Sequence, residues 1–160
     1  MTKLLFTALL LAPLAYCLHQ LDEDAGGFRD WRLRHFADNN RLSVEHVFVI
    51  LTAITLSLIL WFSLRQTVAT ANLVLFLLMA TQVNNAIYHV VTSIAFWDYS
   101  PGTLTAVLLY LPVNAVIWWC ALREGWATRR SLVVLFLLGA AGFWAFELIG
   151  PALIVVELLL

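Results

Sequence analysis

Residues 67–96 read TVATANLVLFLLMATQVNNAIYHVVTSIAF, thirty positions without an Asp, Glu, Lys or Arg. About 20 largely apolar residues suffice for a helix to cross the hydrocarbon core. The stretch therefore predicts a transmembrane helix with length to spare. It is not uniformly apolar. Thr81, Gln82, Asn85, His89 and Thr92 recur at intervals of three and four, which places them on one helix face. Polar groups at bilayer depth must be satisfied inside the protein. That face must meet other helices or a wet cavity, so the chain reads as a bundle.

Working outward, apolar spans fall at about 4–22, 47–64, 103–122 and 131–158. The fold class is all-α, a polytopic transmembrane bundle of about five helices in one domain, residues 1–160. Composition agrees. The chain is 62% hydrophobic and 12% charged, whereas a soluble domain carries about a quarter charged residues. So few charges exclude a water-facing surface. With a net charge of −1 and no basic tail, nothing suggests a nucleic-acid partner.

Trp97-Asp98-Tyr99-Ser100-Pro101-Gly102 reads as a tight turn. Kinks are expected at Pro112 and at Gly150-Pro151. Residues 24–45 are the most polar stretch, with Asp24, Arg29, Asp30, Arg32, Arg34, Asp38 and Arg41 interleaved with Phe28, Trp31, Leu33 and Phe36. That mixture suits a segment lying at headgroup level, rings in the interface and arginines in water. Leu4 to Leu18 after Lys3 resembles a signal peptide. Tyr16 is too large for cleavage before Cys17, so a retained first helix is expected. Cys17 and Cys120, the two cysteines, set no disulfide framework and are expected to stay unbridged.

Five crossings put residues 19–46 and the Asp98 turn on one face, and Lys3, Arg65 and the Arg123–Arg130 loop on the other. Arg29, Arg32, Arg34 and Arg41 then oppose Lys3, Arg65, Arg123, Arg129 and Arg130, so the positive-inside rule barely chooses an orientation. The turn at Asp98 carries no basic residue and leans towards the non-cytoplasmic side.

Ionisable groups within a membrane suggest function by default. His19, Asp22 and Glu23 stand at i, i+3 and i+4, one face of a helix, and that spacing suits holding a metal or sharing a proton. The stripe ending in Asn85 and His89 approaches the same face of the bilayer. Glu147 lies within the fifth span, where it must be protonated or paired; the partners at its depth are His89, Asn85 and Asn114. One cavity is expected to collect His19, Asp22, Glu23, His46, Asn85, His89 and Glu147. The metal ligands expected are His19, Glu23, His89 and His46, a donor set for zinc or non-haem iron. Without metal, Glu23, Asp22, His89 and Glu147 are the acid–base candidates. Asn85, Gln82, Asn114 and Tyr99 are the expected substrate contacts.

His19-Gln20-Leu21-Asp22-Glu23, Asn85-Ala86-Ile87-Tyr88-His89 and Tyr99-Ser100-Pro101-Gly102 follow one another in that order. The chain in this respect resembles the HXXEE-motif family of small bacterial integral membrane proteins, whose marks are His-x-x-Glu-Glu, Asn-Ala-x-x-His and Tyr-x-Pro-Gly. Asp22 stands where that family has its first glutamate, one methylene shorter, which puts a ligand role for Asp22 in doubt. The resemblance implies a multi-pass protein of the bacterial inner membrane and no particular reaction. An enzyme acting on a lipid or isoprenoid-like substrate, by metal-assisted or acid–base chemistry, is the first expectation. A small proton or metal-ion transporter and a structural accessory subunit are the alternatives. A dead-end polar cavity favours the enzyme and a through-path favours transport.

Overall fold

The computed structural model describes residues 3–36 and 44–157. The expectations for Asp38 and Arg41 lie outside the described residues. The described chain is helical without strands. Five helices are long and apolar enough to cross a membrane: α1 (Leu4–Gly26), α3 (His46–Arg65), α4 (Val68–Phe96), α5 (Thr103–Arg123) and α6, whose Arg129–Glu147 part alone suffices. A short α2 (Phe28–His35) lies between α1 and α3. The backbone of α6 stays helical through Gly150-Pro151 to Glu157.

Local chemistry sets the joints. Pro13 has no N–H to give Leu9, and the helix of α1 is interrupted at Leu10. Gly27, at φ +70°, closes α1 in the left-handed region and lets α2 fold back. Thr67 and Thr70 cap the start of α4 reciprocally, each hydroxyl accepting the other's backbone N–H at 3.2 Å. Near Pro112 the expected kink takes the form of a π-helical turn over Ala106–Tyr110. A second π turn, Met79–Val83, interrupts α4, and Asn84 Nδ2 donates 2.8 Å to the Met79 carbonyl there. The two π turns pack against each other. Gly139 lets α6 lie against the Met79–Val83 turn, where a Cβ would meet Ala80 N at 2.9 Å.

The ends of the bundle pair as five crossings require. Leu4 N–H and Leu5 N–H donate to the Glu124 carboxylate at 3.2 Å each, which joins the start of α1 to the α5–α6 loop. At the opposite end His35 Nε2 donates to Asp98 Oδ2 at 2.8 Å. Near the Glu124 end the core is closed by Leu5, Leu9, Val74, Leu75, Leu78 and Ile117, all buried. The membrane-facing surface is carried by residues such as Val133, Val134, Leu137 and Leu138 of α6.

The headgroup-level reading of α2 is corrected in one respect. Phe28 and Trp31 are buried within the protein, packed with Tyr88, Phe143 and Trp144. Their i, i+3 spacing puts both rings on the face that folds onto α4 and α6. Arg34 stays on the outer side, and the exposed Arg29 and Leu33 reach the rim of the cavity described below. The helix is a roof over the polar end of the bundle, held by ring packing.

Candidate functional site: a His-Glu-His centre

His19 and Glu23 occupy successive turns of α1, and His89 faces them from α4. Glu23 Oε1 lies 3.0 Å from His89 Nε2 and 3.3 Å from His19 Nε2. One ligating atom from each residue falls within 4.8 Å of the others, and all three residues are buried. His19 Nε2 is near enough to Glu23 for an ion pair, yet it is not aligned for a hydrogen bond and has no other partner among the described residues. The shared oxygen is already engaged by His89.

The other nitrogen of each ring is anchored on a hydroxyl. His19 Nδ1 lies 2.9 Å from Thr105 Oγ1, and His89 Nδ1 lies 2.9 Å from Ser100 Oγ. Ser100 is fixed in turn, its N–H donating 2.9 Å to Ser93 Oγ. Gly102, at φ +95°, seals the cluster from the turn side: a Cβ there would lie 2.8 Å from Glu23 Cγ and 3.0 Å from Cε1 of each imidazole. Gly26 admits Pro101 just as closely, with a Cβ-to-Cβ approach of 2.6 Å. The Tyr99–Gly102 turn is therefore pressed onto the end of α1, and glycine is required at both contacts.

Asp22 does not point into the trio. Its Oδ2 accepts from the Thr105 hydroxyl at 2.8 Å and the Thr105 N–H at 3.3 Å. A carboxylate at the first turn of α5 completes N–H groups that a helix leaves unpaired. The shorter aspartate arm serves that contact.

A cavity of about 140 Å³ opens beside the trio. His19, Glu23, Tyr16 and Tyr110 line it, with Phe48, Leu51 and Phe146 as apolar walls and Arg29, Arg32, Asn85 and Glu147 as polar ones. Asn85 Oδ1 and Gln20 Nε2, on the same wall, are buried without hydrogen-bond partners among the described residues.

Of the residues singled out by sequence, the structure brings His19, Glu23 and His89 together and leaves Asn85 and Glu147 on the cavity wall. The rest stand elsewhere. His46 is exposed at the start of α3 and outside the ligating group. Tyr99 is exposed and its hydroxyl accepts the Leu104 N–H at 3.2 Å, closing the turn. Gln82 and Asn114 bond each other at 2.8 Å, and Gln82 Nε2 donates 2.9 Å to the Ala12 carbonyl. They join α1, α4 and α5 deeper in the bundle. Glu147 pairs with Arg32 at 2.8 Å, a partner that depth within the membrane did not suggest. The fold-back of α2 delivers an arginine to that depth. Sequence reasoning passed over Thr105, Ser100 and Gly102, because hydroxyls and glycine near a turn are unremarkable without the ring nitrogens they meet.

No curated protein and no solved structure shows a significant match to the chain. A family profile, described as proteins of unknown function with an HXXEE motif, matches residues 10–118, which contain His19, Asp22, Glu23, Asn85, His89, Gly102 and Thr105. The chain belongs to that HXXEE-motif family.

Proposed function

We propose that the protein is a membrane enzyme, of the bacterial inner membrane, whose His19-Glu23-His89 centre works on a lipid or isoprenoid-like substrate with a divalent metal, zinc or iron. The observation that carries this reading is the unpartnered His19 Nε2, aimed at a carboxylate oxygen that a second imidazole already engages. A buried polar atom without a partner costs about 1–3 kcal/mol. A cation between the three groups would remove that cost. Ligand atoms about 2.0–2.1 Å from a tetrahedral ion lie roughly 3.3 Å apart; the two contacts to Glu23 are 3.0 and 3.3 Å, and the two imidazoles offer ligand atoms within 4.8 Å of each other. Two imidazoles and one carboxylate, with a fourth direction left open, are the donor set of catalytic zinc and of non-haem iron.

Such an ion supplies Lewis-acid chemistry, polarising a substrate oxygen or activating water. The chain's own residues do the rest. Asn85 and Gln20 offer hydrogen bonds to a polar group at the cavity wall. Phe48, Leu51 and Phe146 accept an apolar chain. Phe28 and Trp31 roof the trio and exclude water, Phe28 lying 5.0 Å from the His89 ring. Beyond Tyr16 and Thr81 the interior is closed by the Gln82–Asn114 contact and the apolar core. The cavity's lining includes no residue of the Glu124 end, which favours an enzyme over a transporter.

The test uses protein reconstituted in vesicles of phosphatidylethanolamine and phosphatidylglycerol with polar lipid extract, analysed by mass spectrometry, beside Glu23→Gln. New lipid products that require Glu23 support the enzyme. Zinc flux into dye-loaded vesicles, with no lipid product, overturns it in favour of transport.

A further inference from the structure

We propose that Asp22, acting through Thr105, is a positioning residue that holds His19 in its Nδ1–H tautomer and so presents a bare Nε2 to the metal position; this rests on the metal-centre reading above. The proton count is closed. The Asp22 carboxylate only accepts, so the contact of 2.8 Å makes the Thr105 hydroxyl the donor. That hydroxyl has one proton. Once it is given to Asp22, the oxygen can only accept from His19 Nδ1, 2.9 Å away. In the neutral imidazole that is the one N–H, so Nε2 keeps its lone pair and turns it towards Glu23 Oε1 at 3.3 Å, a repulsive contact that a cation between the two atoms relieves. The Thr105 N–H, also on Asp22 Oδ2 at 3.3 Å, fixes the carboxylate where the relay needs it. Thr105 Oγ1 also lies 3.1 Å from the Gly102 carbonyl. That is a second acceptor for the same proton, and the shorter contact to a charged oxygen outcompetes it.

The relay explains why two adjacent acids follow the motif histidine. Glu23, one turn above His19, enters the trio. Asp22, about 100° around the helix, reaches α5 and works on the outer side of the same ring. Carboxylate or hydroxyl partners on the distal nitrogen of a ligating histidine fix its tautomer and raise its basicity. Ser100 stands in the corresponding place behind His89. The two partners differ in kind. Ser100 is not held by a carboxylate, so its hydroxyl is free to donate to His89 Nδ1, while His89 Nε2 donates to the Glu23 carboxylate at 3.0 Å until a metal takes that proton's place.

The experiment compares the wild type with Asp22→Asn, Thr105→Val and Thr105→Ser in detergent. Two readouts are taken: ¹⁵N chemical shifts of the histidine rings in metal-free protein, with His19 assigned by His19→Gln, and zinc affinity by chelator competition. The wild type is expected to show His19 with its proton on Nδ1. Thr105→Val is expected to lose that preference and about 10–100-fold in zinc affinity, as outer-shell changes do, and Thr105→Ser to restore both. Asp22→Asn, whose amide can offer Thr105 a proton, is expected to weaken zinc binding without abolishing it. An Nε2–H tautomer in the wild type, or zinc binding unchanged in Thr105→Val, overturns the proposal. Loss of zinc in Asp22→Asn as complete as in His19→Gln makes Asp22 a ligand, which also overturns it. A wild type with the Nδ1–H tautomer but no zinc affinity leaves the relay standing and removes the metal reading.

Discussion

Gly102→Ala separates geometry from backbone strain. At φ +95° an L side chain costs about 1–3 kcal/mol. The added methyl would also stand 2.8 Å from Glu23 Cγ and 3.0 Å from both imidazole Cε1 atoms. Carbon–carbon contacts relax to about 3.5–4.0 Å, so the three groups must retreat by roughly 0.5–1 Å. Metal–ligand distances are held within about 0.2 Å, far less than that. Zinc affinity is therefore expected to fall by at least tenfold, the lower end of what a disturbed outer shell causes. Gly125→Ala is the matching control. Gly125 has φ +76° in the α5–α6 loop, with nothing within 4 Å of its would-be Cβ. It carries the strain alone. Thermal unfolding in detergent and chelator competition are measured on both variants. Both are expected to lose stability, and Gly102→Ala alone to lose zinc. Wild-type zinc affinity in Gly102→Ala, or an equal loss in Gly125→Ala, would refute the reasoning.

Other consequences concern the surroundings of the centre. Arg32→Ala and Glu147→Ala each break a mostly buried ion pair, and side chains only 17% and 13% exposed are expected to couple by at least about 1 kcal/mol; a thermal-unfolding double-mutant cycle showing additivity would remove the pair as the latch of α2. Gln82→Leu breaks the contacts to Ala12 and Asn114 and is expected to cost about 1–2 kcal/mol while leaving zinc affinity intact, since that contact lies below the cavity. The hydrogen bond from His35 holds the Asp98 carboxyl below its ordinary range, partial desolvation opposing it and Arg34 adding to it. A depressed carboxyl stabilises the fold above its unfolded value, about 4, and that gain is lost as pH falls through the lowered folded value. Asp98→Asn is therefore expected to loosen α2 at pH 5, read by hydrogen exchange, and to match the wild type in strongly acid solution.

The spans were legible because a bilayer leaves few ways to hide polar backbone, and hydropathy reports that directly. The first helix runs to Gly26, where its polarity suggested an earlier end. His19, Asp22 and Glu23 each turn onto α4 or α5 inside the bundle, so they do not mark a water-exposed terminus. His19, Glu23 and His89 could be gathered from helical spacing and parity alone. The stripe on α4 was less uniform than its period implied. Asn85 and His89 face the cavity end, whereas Gln82 is structural. Position along a face does not distinguish a site from helix-to-helix bonding. Glu147 shows the other limit. Its partner comes from α2, a segment whose charge pattern gave no sign that Phe28 and Trp31 would turn it inward. Those rings needed Tyr88, Phe143 and Trp144, which lie far along the chain. His46 failed for a simpler reason: sharing a membrane face with His19 does not bring it within ligand distance.

The central claim is that His19, Glu23 and His89 form one metal centre. Its most direct test is the metal content of protein purified in mild detergent without chelators, measured by mass spectrometry beside His19→Ala and His89→Ala. The account predicts near-stoichiometric zinc or iron in the wild type and loss in both variants, with each still folded by circular dichroism. A wild type without bound metal, and without affinity for added zinc or iron, would contradict it.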